Sequence, residues 1–224
     1  MTGHSLFSFG QQEPWVAAVT QALVADIAAA VASHGSALVA LAGGKTPEPI
    51  IKAFAFAPLP WARVTLVPTD DRLVPEESEF RNARQLRDWL EPAKPQGARI
   101  ITLEMLEPPV RLDAVLLGFG LDGHFASLFP GAEGTATALE PDSAQEIIRT
   151  TPNPLPPEAP YPRISFTMRA FASAPRLHVA ANGAQKAALL KRAFSADAAS
   201  SPLAALLHQN AVPVSCYCLE PHTD

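Results

Sequence analysis

Cysteine is almost missing from these 224 residues, with Cys216 and Cys218 the only two. Standing two positions apart, they are too close for an easy unstrained bridge. That excludes a disulfide framework and makes a cytoplasmic location the expectation. Charge is sparse at 17%, and basic charge is the scarcer kind: 17 Lys+Arg against 22 Asp+Glu leave a formal net charge of -5. With no run of Lys or Arg, that balance argues against nucleic acid as a partner. No apolar stretch reaches the roughly 18–20 residues of a membrane span, so no membrane partner is expected. Met1-Thr2-Gly3-His4-Ser5 carries neither the positive nor the apolar region of a secretory signal. A Gly-x-Ser-x-Gly elbow is also missing, as is any Cys/His cluster with metal-ligand spacing, so no metal is expected.

What the chain has in quantity is apolar residues, 48% of the total. That is enough for a large core and too many for a disordered chain. Helical and strand-like segments alternate. From Pro14 to Ser33, Val16, Val19, Leu23, Ile27 and Val31 recur at three- and four-residue steps, which predicts an amphipathic helix. Ala37–Leu41 is a short continuous apolar run ending in Gly43-Gly44, the pattern of a strand buried on both faces. Further strands are predicted at 64–67, 100–103, 112–117, 176–180 and 212–219, with helices from Pro47, over 82–90, over 184–194 and over 202–209. Strands alternating with helices imply a mainly parallel sheet covered on both faces, an α/β fold. No repeat or composition shift divides the chain, so 1–224 reads as a single domain. Proline is abundant, 23 in all, and six of them crowd 152–162, which reads as a stiff ordered loop.

In open α/β sheets, ligands bind beyond the carboxyl ends of the strands, and three polar segments fall there. Gly43-Gly44-Lys45-Thr46-Pro47 is either a tight strand-to-helix turn or an anion site at a helix N-terminus, with Lys45 adding a cation. Thr69-Asp70-Asp71-Arg72 follows the second predicted strand. It is either a solvated salt-bridge cluster or a site contribution from Asp70 or Arg72. The third, Gly118-Phe119-Gly120-Leu121-Asp122-Gly123-His124, is the most informative. It lies too late in the chain for a dinucleotide fingerprint. A histidine in a glycine-rich turn can act as general base and then acid, and this makes His124 the leading catalytic candidate. His178, inside an apolar strand, reads as a core histidine. His4, His34, His208 and His222 carry no assignment. Arg163, and Lys186 at the start of a helix where a cation opposes the macrodipole, are candidate anion-binding residues.

In order and spacing these segments resemble the 6-phosphogluconolactonase family. The resemblance is carried by Gly43-Gly44-x-Thr46-Pro47, Asp70-x-Arg72-x-Val74-Pro75 with Asn82 beyond, Gly118-x-Gly120-x-Asp122-Gly123-His124-x-Ala126-Ser127-Leu128-Phe129-Pro130, Arg163-Ile164-Ser165-x-Thr167 and Gly183-x-x-Lys186. It runs from about Ala37 to Ala193. It implies a Rossmann-like three-layer αβα fold and hydrolysis of 6-phospho-D-glucono-1,5-lactone, a phosphorylated sugar lactone, with no obligatory cofactor. It also implies His124 as general base, Asp70 or Asp122 orienting it or a sugar hydroxyl, and Arg72 or turn N–H groups receiving the oxyanion. The phosphate would then fall to Gly43, Gly44, Lys45, Thr46, Arg163 and Lys186. Lys45 and Arg81 stand where the family commonly has serine, Asp71 where it has glutamate, and Phe125 where a small residue is common. Related deaminases place a glutamate shortly after the histidine. Leu128-Phe129-Pro130-Gly131 has no carboxylate, which favours the lactonase over a deaminase; a non-catalytic sugar-phosphate binder stays as the other alternative.

Overall fold

The computed structural model describes residues 3–157 and 159–220; Met1, Thr2 and His222 lie outside them. In chain order the strands are β1 (Ser5–Phe9), β2 (Ala37–Leu41), β3 (Val64–Pro68), β4 (Asp70–Arg72), β5 (Arg99–Ile100), β6 (Ala114–Leu117), β7 (Ile147–Thr150), β8 (Arg163–Phe166), β9 (Leu177–Asn182) and β10 (Val214–Leu219). The helices are α1 (Gln12–His34), α2 (Glu48–Phe54), α3 (Asn82–Trp89), α4 (Thr135–Ala138), α5 (Met168–Phe171), α6 (Ala184–Ala193) and α7 (Pro202–His208).

Seven strands form one parallel sheet in the order β1-β10-β9-β6-β2-β3-β5. Successive residues point to opposite faces of a strand, and both faces are apolar here. Val115 and Leu117 join a cluster with Val179, Leu190 and Leu203, whereas Ala114 and Leu116 join one with Trp15, Leu23 and Phe54. Helices therefore cover both sides, giving the expected α/β architecture of three layers. The buried stripe of α1 is Trp15, Val19, Leu23, Ile27 and Ala30, with Val16 and Val31 at its margin. By length and mean hydropathy α1 is the one described helix that could cross a membrane, a test that the core helix of a globular protein also passes. Its stripe packs on the sheet as a core helix does.

The β2–β6 pair is a topological switch point. From β2 the chain adds β3 and β5 on one side, then crosses to place β6 on the other side of β2. Leu41 and Leu116 lie in register there, so the loops after both strands leave the sheet side by side.

Several elements differ from the sequence reading. The strand expected at 100–103 ends at Ile100, because Leu103–Met105 closes into a 3-10 turn. Strand β1, a sheet edge, and the short helices α4 and α5 gave no periodic signal. Most important, Asp70–Arg72 and Arg163–Phe166 are strands. With β7 they make a second, antiparallel sheet in the order β4-β8-β7. His178 is a core histidine, 1% exposed, with Nε2 2.7 Å from Asp26 Oδ2 and Nδ1 3.3 Å from the Tyr217 hydroxyl.

Candidate active site

The glycine-rich loop after β6 is folded by its own amides. Gly120 N–H donates to the His124 carbonyl at 2.8 Å, Gly123 N–H to the Gly120 carbonyl at 3.0 Å, and His124 N–H to Asp122 Oδ1 at 3.2 Å. This tight turn brings Asp122 Oδ1 to 2.6 Å from His124 Nδ1. Glycine at 120 lets the imidazole sit this close, since a Cβ there would stand 2.3 Å from His124 Cε1. Burial alone would raise the Asp122 carboxyl, but the hydrogen bond and charge of His124 and its backbone N–H outweigh that and hold it below the usual range. The imidazole remains accessible, 29% exposed, and its ring stacks on Phe129 with centroids 4.2 Å apart.

Two cations border the same loop. Lys186 donates from Nζ to the Phe119 carbonyl at 2.6 Å and to Thr46 Oγ1 at 3.1 Å. It thereby ties the first turn of α6 to the loops after β6 and β2, and burial pushes its ammonium down. Arg163 is 3% exposed and its Cζ lies 5.8 Å from the centroid of Phe129, the ring on which His124 stacks. It donates to the carbonyls of Tyr161 at 3.1 Å and Ala159 at 2.9 Å, anchoring the proline-rich loop. Burial lowers the Arg163 guanidinium, as does the neighbouring charge of Arg72, against the pull of Asp70 and Asp71.

The small sheet sets these groups in register. Arg72, Arg163 and Thr150 are directly paired across β4, β8 and β7. Arg72 donates through Nη1 to Asn82 Oδ1 at 2.6 Å and to the Phe80 carbonyl at 3.0 Å, and its buried Nε has no partner among the described residues. Gly43 is needed beneath that contact, because a Cβ would meet Asn82 Oδ1 at 2.3 Å. Gly44 N–H reaches Gln85 Oε1 at 3.2 Å, and Lys45 is exposed with no polar partner among the described residues.

Asp70 and Asp71 do different work. Asp70 is buried, accepting from Ser127 Oγ, Thr69 Oγ1 (3.2 Å) and Asn82 Nδ2 (3.4 Å). It makes no contact with His124, so among the two aspartates expected to orient the imidazole only Asp122 does so. Asp71 caps α3, its carboxylate accepting the N–H groups of Asn82 at 2.7 Å and Ala83 at 3.1 Å. Burial raises its carboxyl, opposed by those bonds and by Arg81.

His124, Asp122, Lys186, Thr46 and Arg163 thus gather around one segment, Phe119 to Phe129, while Asp70, Arg72 and Gly43 meet at Asn82. Phe129, Ser127, Ser165 and Asn82 belong to this arrangement but stood in the motifs without a role. Ala126, the only non-glycine with positive φ among the described residues (47°), directs Ser127 toward Asp70 and carries no sequence signal for doing so. A cavity of about 920 Å3 adjoins the small sheet, lined among others by Leu73, Thr150, Pro162 and Ile164, the neighbours of Arg72 and Arg163, although neither arginine lines it. Among the described residues no group of His, Cys, Asp or Glu is arranged to hold a metal ion.

The family model described as glucosamine-6-phosphate isomerases/6-phosphogluconolactonase matches residues 10–110 and 98–214. The chain is 32% identical over 221 residues to a 6-phosphogluconolactonase from Rhizobium meliloti (strain 1021), covering 89% of this chain and 94% of that one. It is 34% identical over 198 residues to a 6-phosphogluconolactonase from Pseudomonas putida, covering 80% and 79%. The fold superposes on the crystal structure of a 6-phosphogluconolactonase from Shewanella baltica OS155 with a TM-score of 0.86, over 96% of this chain and 97% of that one at 23% identity.

Proposed function

The chain belongs to the glucosamine-6-phosphate isomerase and 6-phosphogluconolactonase family, and from that membership we propose that it hydrolyses 6-phospho-D-glucono-1,5-lactone to 6-phosphogluconate. One observation carries the mechanism: Asp122 Oδ1 lies 2.6 Å from His124 Nδ1. An ionised carboxylate can only accept, so in the neutral ring Nδ1 bears the proton and Nε2 keeps its lone pair. His124 Nε2 takes a proton from water as the oxygen adds to the lactone carbonyl. When the tetrahedral intermediate collapses, the bond from that carbon to the ring oxygen breaks, and Nε2 returns the proton to the departing oxygen.

The oxyanion falls to Arg72. The N–H groups of Gly120, Gly123 and His124 are already spent inside the turn, whereas Arg72 brings a full positive charge, paired in register with Arg163. The phosphate falls to the loop of Gly43, Gly44, Lys45 and Thr46 together with Arg163 and Lys186. Charge-assisted bonds to them hold the sugar so that its carbonyl meets the imidazole. Deaminase chemistry is disfavoured because the segment after the histidine, Leu128-Phe129-Pro130-Gly131, offers no carboxylate, and Phe129 stacks on the imidazole instead.

The test is acid release from freshly generated 6-phosphogluconolactone, with the unphosphorylated lactone as control. Turnover well above the spontaneous rate is expected. Ammonia from glucosamine 6-phosphate would instead mark a deaminase, and 6-phosphogluconate binding without turnover would mark a sensor.

A further inference from the structure

Arg72 is held by charged groups, Asp71, Arg81 and Glu104, that make no hydrogen bond to His124, Lys186 or Arg163. Its own peptide is gripped at both ends: Asp71 Oδ1 accepts the Arg72 N–H at 2.8 Å, and Arg81 Nη1 donates to the Arg72 carbonyl at 2.9 Å. Arg81 and Asp71 also face each other, Nη1 to Oδ2 at 3.6 Å, and Arg81 Nη2 donates to Glu104 Oε1 at 2.9 Å. The Arg81 side chain is 10% exposed and the Asp71 side chain fully buried. The Glu104 carboxyl is held low: burial would raise it, and its backbone hydrogen bond and Arg81 outweigh that. The residues flanking Arg81 complete the grip, since the Phe80 carbonyl and Asn82 Oδ1 receive the Arg72 guanidinium. One short segment, 80–82, therefore fixes both the backbone and the side chain of Arg72, and Glu104 pins that segment to the 3-10 turn after β5.

We propose that Arg81 is a positioning residue for the lactonase reaction: bridging Asp71 and Glu104 while bonding the Arg72 carbonyl, it fixes where the Arg72 guanidinium points. Lysine cannot replace it. The Arg81 guanidinium bonds two acceptors from separate nitrogens and lies 3.6 Å from a third, whereas an ammonium on a flexible stem presents a single point of charge and leaves the peptide free to turn. The proposal rests on the assignment of Arg72 as oxyanion donor, so the effect belongs in kcat and not in substrate binding.

The test is a cycle of Arg81→Ser, Arg81→Lys and Arg72→Ala, with kcat, the dissociation constant for 6-phosphogluconate and the melting temperature measured for each. Arg81→Ser and Arg81→Lys should both lower kcat by about tenfold, the scale of one charge-assisted bond, and leave product affinity unchanged. In the Arg72→Ala background either change should lower kcat no further, because groups acting through one another are not additive. Arg81→Ser/Glu104→Gln removes one of the two carboxylates that lose their cation, the other, Asp71, keeping its backbone N–H donors, so the melting temperature should rise again while kcat stays low. Recovery of kcat together with stability in that double variant would overturn the proposal, as would an additive loss on top of Arg72→Ala. Where Arg81→Ser does not fold, Arg81→Lys decides alone. The NMR signal of the buried Arg72 Nε–H gives a readout free of turnover: it should shift in Arg81→Lys, and no shift refutes the clamp. An inactive wild type overturns the reaction assignment and leaves that signal to decide the clamp.

Discussion

Alanine at position 120 tests whether the imidazole must sit where it does. A Cβ on Gly120 would stand 2.3 Å from His124 Cε1, 2.4 Å from Nδ1 and 2.5 Å from Asp122 Oδ1. Ordinary carbon contacts lie at about 3.5–4.0 Å, so the pair must retreat by roughly 1 Å or more. The side chains are 29% and 51% exposed, which lets them swing outward while the backbone stays put. Gly120 is not among the positive-φ glycines, so alanine adds no backbone strain. The loss therefore falls on chemistry and not on folding. Misplacing a reacting group by about 1 Å costs on the order of 10²-fold in rate, and kcat should fall by that amount with KM and the melting temperature little changed. The assay is acid release from fresh lactone, corrected for spontaneous opening, beside a thermal melt. Wild-type kcat in a folded Gly120→Ala chain refutes this imidazole as the base. Loss of the fold refutes the claim that the two side chains can move aside.

Asp122→Asn removes the charge behind His124 and should lower kcat by roughly 10- to 10²-fold at constant KM, read from initial rates; an unchanged kcat refutes the orienting role. Lys186→Met should raise KM about tenfold or more while sparing kcat, and the opposite split moves Lys186 from binding to chemistry. Because burial lowers the Lys186 ammonium, its charge disappears at a lower pH than that of a lysine in water. Calorimetric affinity for 6-phosphogluconate should therefore weaken at a lower pH than the titration of a free lysine would set, and a flat profile refutes the contact. The sign for folding is opposite: between the folded and unfolded values the unfolded chain holds more protons, so this group's burial penalty fades and stability gains as pH rises. Both cysteines are fully buried; burial pushes the Cys216 thiol up strongly and the Cys218 thiol up to about 11. Thiol labelling at neutral pH should be slow in the native chain and complete in denaturant, and equal rates refute that burial.

The parallel sheet was legible because burial on both faces writes an unbroken apolar run, as in Ala37–Leu41 and Ala114–Leu117. The small antiparallel sheet was not, and the reason is physical. Asp70, Asp71 and Arg72 are a strand whose polar side chains are satisfied by partners far along the chain: Ser127, the α3 N-terminus and Asn82. Period and propensity register apolar burial, whereas a strand stabilised by polar pairing looks like a loop until those partners are brought close. The same limit separates the site residues. The turn that presents His124 is local, so its glycines and Asp122 could be read within a few positions. The surroundings of Arg72 could not, because Glu104 sits on a 3-10 turn beyond β5 and offers no motif. Two departures from the family pattern, Asp71 and Arg81, looked independent in the sequence, yet they lie 3.6 Å apart and grip the same peptide. Against the glutamate and serine that the resemblance leads one to expect there, a shorter acid accepts the Arg72 N–H and a long cation bonds its carbonyl. Replacing either alone with the family's usual residue should therefore cost more activity than replacing both. Arg81→Ser, Asp71→Glu and the double variant measure that coupling, and strict additivity of their effects on kcat would show that the two positions drifted separately.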